Sequence, residues 1–239
     1  MKRFVALFVK LSYFSMLAYP GPAIAAAEDL ETPLLELREH HLHPTQFTVG
    51  KKAVKEKIKK IEKLYKKDAL AAYRRQKIIP LVLGKNETLY MYDRHHTALA
   101  FFAAAIPTRE KFLYGNIQHN LEHLNLQEFW QEMENNNLAY FFDNGGRRPA
   151  REIPSQIRLL TDDPYRSLAW ILREKGHIIK QAIPFMEFRW ADFFRANNIL
   201  LVPNNKKQWK RATKIAIQLA HSPAAAHLPG FAGAAVDTF

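Results

Sequence analysis

The chain has 239 residues, 48% of them hydrophobic and 12% aromatic, which suffices for one sizeable core and excludes a disordered or low-complexity protein as a whole. Its formal net charge is +12, and it contains no cysteine. Disulfides, thiolate metal sites, a cysteine nucleophile and thiol redox chemistry are thereby excluded.

In chain order, Met1-Lys2-Arg3 is a short basic start, Phe4 to Tyr19 is mostly apolar though broken by Lys10, and Pro20-Gly21-Pro22 stops any helix. Ala23-Ile24-Ala25 offers a small-x-small pattern before the polar Glu28-Asp29. That order reads as a secretory signal over residues 1–27, with an uncleaved anchor as the competing reading. The apolar run is shorter than the ~20 residues a spanning helix needs, so the mature chain is expected to be exported, periplasmic or secreted, without an integral membrane span. Cleavage would remove Lys2, Arg3, Lys10 and no acid, leaving the chain basic.

Residues 28–41 read as a polar linker, residues 42–197 as the folded domain, and residues 198–239 as a last helix with a loosely held Ala/Pro/Gly-rich tail from Ser222. His43 to Gly50 is expected to be extended, since Pro44 biases its predecessor away from helix. Val54, Ile58, Ile61, Leu64, Tyr65, Ala69 and Ala72 recur at helical spacing and predict one amphipathic helix from Lys51 to about Arg75. Ile78 to Leu83 and Thr88 to Tyr92, joined by a turn at Lys85-Asn86-Glu87, predict a β-hairpin. A helix then follows from Asp93 to Ala105, ended by Pro107. The second half reads as mostly helical, with Leu126 to Asn137, Pro164 to Lys175, Phe185 to Ala196 and Lys206 to Ala220 as its helices. Asp163 is the expected cap of the second of these, with Pro164 at its first position.

The chemistry-bearing unit is Tyr92-Asp93-Arg94-His95-His96-Thr97, where a strand runs directly into a helix. Free N–H groups and the positive helix end make such a junction an anion site. Asp93 is a candidate helix cap, Arg94 supplies a fork suited to phosphate or carboxylate, and the histidines can donate to an oxyanion, move protons or bind a metal. Adjacent helical side chains diverge by about 100°, so the two rings need not reach one ligand. A plain surface helix start is the competing reading.

The run Pro80 to Ala100, containing Asp93-Arg94-His95-His96, resembles the signature of the ParB-like nuclease family within the ParB/sulfiredoxin superfamily. His43 to Gly50, Phe129-Trp130, Asp162 to Trp170, and Pro184-Phe185 through Phe188 to Phe194 are similar to further blocks of that family, so the resemblance spans about Leu42 to Ala196. It implies an α+β fold of ParB/sulfiredoxin type: a small mixed sheet, flanking helices and a mostly helical C-terminal half. It also implies phosphate chemistry at the junction, as a nuclease or phosphohydrolase. His95 or His96 would then be general acid or base, Asp93 would orient a histidine or hold a divalent cation, and Arg94 and Thr97 would meet phosphate. Gln46 and Thr48 would approach from a neighbouring strand. The chain departs from the Gly-x-x-Arg turn of ParB proper and shows no helix-turn-helix reader, which argues against a partitioning protein. A non-catalytic module holding nucleic acid, an anion or a partner protein is the competing function.

Elsewhere, the helix from Lys51 to Lys67 carries nine Lys against Glu56 and Glu62 and reads as a solvated face that can also track phosphates. His40-His41-x-His43 lacks a carboxylate at helical spacing and is not expected to hold a metal. Asp162-Asp163-Pro164-Tyr165-Arg166 is explained by a helix start with a local ion pair. Asn144-Gly145-Gly146-Arg147-Arg148 lacks the spacing and ending of a phosphate loop and reads as a surface turn.

Overall fold

The computed structural model describes residues 34–202 and 204–233; the leader expected over residues 1–27 lies outside them. β1 (Leu35–Leu37) falls inside the expected linker, followed by β2 (His43–Pro44) and β3 (Thr48–Val49). The Lys-rich segment forms α1 (Lys51–Lys66) and a separate α2 (Leu70–Arg75) instead of one helix, because Asp68 takes a left-handed backbone with φ of 54° and turns the chain. β4 (Ile79–Gly84) and β5 (Thr88–Met91) form the expected antiparallel hairpin and lead into α3 (His95–Ala103). β6 (Leu113–Asn120) and α4 (Leu126–Asn135) follow. The expected surface turn around Asn144-Gly145 is the tip of a small hairpin, β7 (Phe142–Asp143) and β8 (Gly146–Arg147). β9 (Thr161–Asp162), α5 (Pro164–Glu174), α6 (Met186–Ala196) and α7 (Lys206–Ala220) complete the order.

The five-stranded sheet runs β1-β6-β4-β5-β2 and is mixed: β6 is parallel to β4, β2 is parallel to β5, and the other neighbours are antiparallel. This is the expected α+β architecture. β6 is an addition that local pattern does not announce, since Gly115, Asn116, Gln118 and Asn120 are poor strand formers. It is held as a strand by partners on both sides. Gly115 allows this, because a Cβ there would press on the Leu37 and Leu81 side chains and lie 3.1 Å from the Ile79 carbonyl oxygen.

One hydrophobic cluster joins α1, α2 and α3 to the sheet through Val54, Ile61, Tyr73, Leu81, Met91 and Phe101. A second seats α4 through Phe129 and Met133 against Val82. A third is built by α5, α6 and α7 around Leu168, Trp190, Phe194 and Trp209, and it includes Ala225 and Leu228. The chain from Ser222 to Phe231 is therefore packed, contrary to the expected loose tail. Ile178 bridges Phe231, and the Trp190 indole N–H donates to the Pro229 carbonyl at 2.7 Å.

Residues 43–50 position everything functional. They pair first with β5, as His43 opposite Tyr90 and Pro44 opposite Met91, and then with β9, as Thr48 opposite Thr161 and Val49 opposite Asp162. Because β5 feeds α3 and β9 feeds α5, this one segment lays two helix starts side by side and itself begins a third, α1. No described helix is long and apolar enough to cross a membrane.

Candidate functional site

The start of α1 has no side-chain cap of its own, since Gly50 occupies that position. Its orphan donors are satisfied from other elements. The Gly50 N–H donates to His96 Nε2 at 2.9 Å, the Lys51 N–H to Asp162 Oδ1 at 2.8 Å and the Lys52 N–H to Ser167 Oγ at 3.2 Å. The approach requires glycine, because a Cβ at position 50 would lie 2.9 Å from the Ser167 backbone nitrogen.

His95 is used in the same manner. Its Nε2 accepts the Thr45 N–H at 3.2 Å, and the Thr45 hydroxyl donates to the Met91 carbonyl at 3.0 Å. The ring is 2% exposed. Burial pushes its pKa down to about 3. His96 is also held well below the usual histidine range, first by burial and then by Arg166 and Lys57. An imidazole nitrogen that accepts an N–H carries no proton, so both rings are neutral with the proton on Nδ1. Of the two rings expected to supply a general acid or base, both spend Nε2 on a backbone N–H and keep only Nδ1–H.

Asp93 does not cap α3 as expected. The cap position is Arg94, at a left-handed φ of 66°, and Asp93 Oδ1 accepts the Arg94 N–H at 2.6 Å. No side chain caps the first turn of α3. This helix end therefore stays open to an anion.

The junction opens into a cavity of about 740 Å³. Asp93, Arg94, His95, His96, Thr97 and Gln46 all line it; of the expected residues only Thr48 does not. Thr48 is buried, and its carbonyl accepts the Gln46 side-chain amide at 2.6 Å, so Thr48 fixes Gln46.

The larger part of the cavity's charge was not expected from the sequence. Lys57 comes from α1, Lys77 precedes β4, Arg166 and Arg173 stand on α5, and Lys180 follows α5. Lys57 is pushed down to about 8 by burial and then by Lys77 and Arg173, the sign of a crowded positive site. Asp93 and Glu187 are the acids in the lining, and Glu187 is committed: it pairs with Arg173 and lies 3.4 Å from Arg166 Nη2. Arg166 is 8% exposed, and its Nε and Nη1 are buried with no hydrogen-bond partner among the described residues. Its guanidinium lies 5.2 Å from the Phe188 ring centroid. A buried guanidinium with two idle donors is costly unless something anionic completes it.

The sequence around Arg166 accounts for it as an ordinary helix-start residue with a local partner. Asp163 does cap α5, accepting from Tyr165 N–H at 2.8 Å and Arg166 N–H at 3.2 Å, but its charge faces Arg195 at 2.9 Å, and the Arg166 side chain reaches the cavity with Glu187 of α6 as its ion-pair partner. Among the described residues no group of three or more His, Asp or Glu is placed to hold a metal ion.

A family described as "Putative ParB-like nuclease" matches residues 35–196. The crystal structure of protein Atu1540 from Agrobacterium tumefaciens is similar to this chain, with a TM-score of 0.70 at 35% identity, over 84% of this chain and 98% of that one. No curated protein matches it.

Proposed function

This chain belongs to the ParB-like nuclease family, and from that premise we propose that its cavity binds a phosphate group and that the protein acts as a nuclease or phosphohydrolase. The observation that carries this reading is Arg166, a buried guanidinium with two unused donors among other cations beside an uncapped helix start. Arg166 and Arg94 hold the phosphoryl oxygens, and the open first turn of α3 adds backbone donors. His96 contributes a neutral Nδ1–H donor. Asp93 is the lining carboxylate without an ion pair among the described residues; with Oδ1 on the Arg94 N–H, its Oδ2 takes a proton from an attacking water or shares a divalent cation with the substrate's own phosphates. His95, Gln46 and Thr97 act as supports. The leader read over residues 1–27 favours extracellular nucleic acid or a phosphorylated metabolite as substrate over nucleoside triphosphates.

The test is titration calorimetry with inorganic phosphate, together with mass spectrometry of nucleotides and oligonucleotides incubated with and without Mg²⁺ or Mn²⁺. Arg166→Gln should weaken phosphate binding by about 10- to 100-fold, the value of a charge-assisted pair. Unchanged phosphate affinity would overturn the cavity reading. Asp93→Asn should abolish turnover while leaving phosphate binding in place. The engagement of both histidine Nε2 atoms by backbone N–H groups, which takes up their basic nitrogens, favours a second reading, a binding module without turnover, and that reading prevails if the wild-type protein binds phosphate yet releases no product.

A further inference from the structure

α7 lies beyond the residues matched by the family and has the sequence KKQWKRATKIAIQLA, with five cations and no acid. Lys206, Lys207, Lys210, Arg211 and Lys214 are all exposed, and among the described residues none of them makes an ion pair. The Lys face of α1 is its neighbour: Lys52 Nζ lies 4.3 Å from the ring centroid of Trp209 in α7. On α1 one surface lysine is compensated, Lys59 by Glu56 at 2.7 Å. The two lysine-rich helices thus come together at Lys52 and Trp209, and among the described residues no carboxylate pairs with the cations of α7. Unpaired like charges gathered on neighbouring helices repel one another, and a polyanion relieves that repulsion.

We propose that the exposed cations of α7, with the lysines of the neighbouring α1, form a docking surface for the phosphate backbone of duplex nucleic acid, separate from the cavity. Helices of 16 and 15 residues present charge over roughly 23 Å each, a span suited to a row of phosphates and far longer than one phosphorylated metabolite. An anionic membrane fits less well. The apolar face of α7, Trp209, Ala212, Ala216 and Ala220, is buried in the chain's own core, leaving no apolar face to enter lipid. Single strands fit less well too, because the aromatic residue of α7 lies buried under Lys52 and offers no stacking platform. The contacts are lysine-dominated and away from base edges, so binding is independent of sequence. This surface does not depend on the reading of the cavity.

The full chain is tested by fluorescence anisotropy on a labelled blunt-ended DNA duplex over a salt series, comparing wild type with a variant in which Lys206, Lys207, Lys210, Arg211 and Lys214 are each replaced by Gln. Glutamine keeps the helix, and thermal melting checks that it has. The variant should bind the duplex at least about tenfold more weakly, and its slope of log affinity against log salt should be smaller by up to about 4.5, at roughly 0.9 per lost phosphate contact. Its calorimetric affinity for inorganic phosphate should equal that of wild type. Duplex affinity and slope unchanged in the variant would overturn the surface. So would wild-type binding to phosphatidylglycerol vesicles but not to the duplex. Failure of the cavity reading shows instead as absent phosphate binding in the wild type.

Discussion

Two helix starts stand side by side in this protein and are finished in opposite ways. α5 begins with a local device: Asp163 caps two N–H groups of its own helix, and Pro164 occupies the position where a missing N–H costs nothing. α3 begins with Arg94 in a left-handed conformation and no cap, and its first two side chains, His95 and His96, reach out to cap Thr45 and Gly50 elsewhere. The α5 start is closed to ligands and contributes a side chain, Arg166. The α3 start is open and contributes backbone donors, while its histidines hold the surrounding segments in place. A polar cluster at a strand-to-helix junction can thus serve the architecture with some of its residues and the ligand with others.

The comparison is tested most strongly at His95. His95→Ala leaves a buried cavity and an unsatisfied Thr45 N–H, and should lower the free energy of unfolding by about 3 kcal/mol in a denaturant titration. A variant as stable as wild type would show that the α3 start is not held this way. The same ring sets the acid behaviour. Between about pH 6.5 and pH 3 the unfolded chain takes up a proton that folded His95 refuses. Its stabilising contribution is therefore complete above about pH 6.5 and is lost as pH falls, at about 1.4 kcal/mol per unit, a limb that unfolding measured across pH should show flattened in His95→Ala.

Asp163→Asn is the matching test at α5. Asparagine keeps the cap through Oδ1 but turns an amide NH2 toward the Arg195 guanidinium, losing the ion pair and its hydrogen bond, so the cost should be about 2 kcal/mol, still below that of His95→Ala. A larger loss would mean that α5, too, is held by long-range contacts more than by its own cap. The smallest effect is expected at Arg94. Arg94→Gly relieves a left-handed backbone and should raise stability by up to about 1 kcal/mol in thermal melts while weakening phosphate binding. Loss of stability would assign Arg94 a packing role.

What could be read from the sequence was what neighbouring residues decide among themselves. The hairpin of β4 and β5 follows from alternation around a turn, α7 from helical spacing between Lys206 and Ala220, and the start of α5 from Asp163-Pro164. The family blocks around Asp93 and Asp162 likewise pointed to the segments that line the cavity.

Tertiary structure alone decided the rest, because the causes lie far along the chain. β6 is a strand because β1 and β4 flank it, despite its Gly and Asn residues. Residues 222–231 are packed because Trp190 and Ile178 bind them. His95 and His96 are neutral acceptors because Thr45 and Gly50 present N–H groups to them across some fifty positions, which no local pattern encodes. Arg166 becomes the focus of the cavity because Asp163 turns to Arg195 and Glu187 meets one end of the guanidinium, so that Nε and Nη1 stay buried with no partner among the described residues.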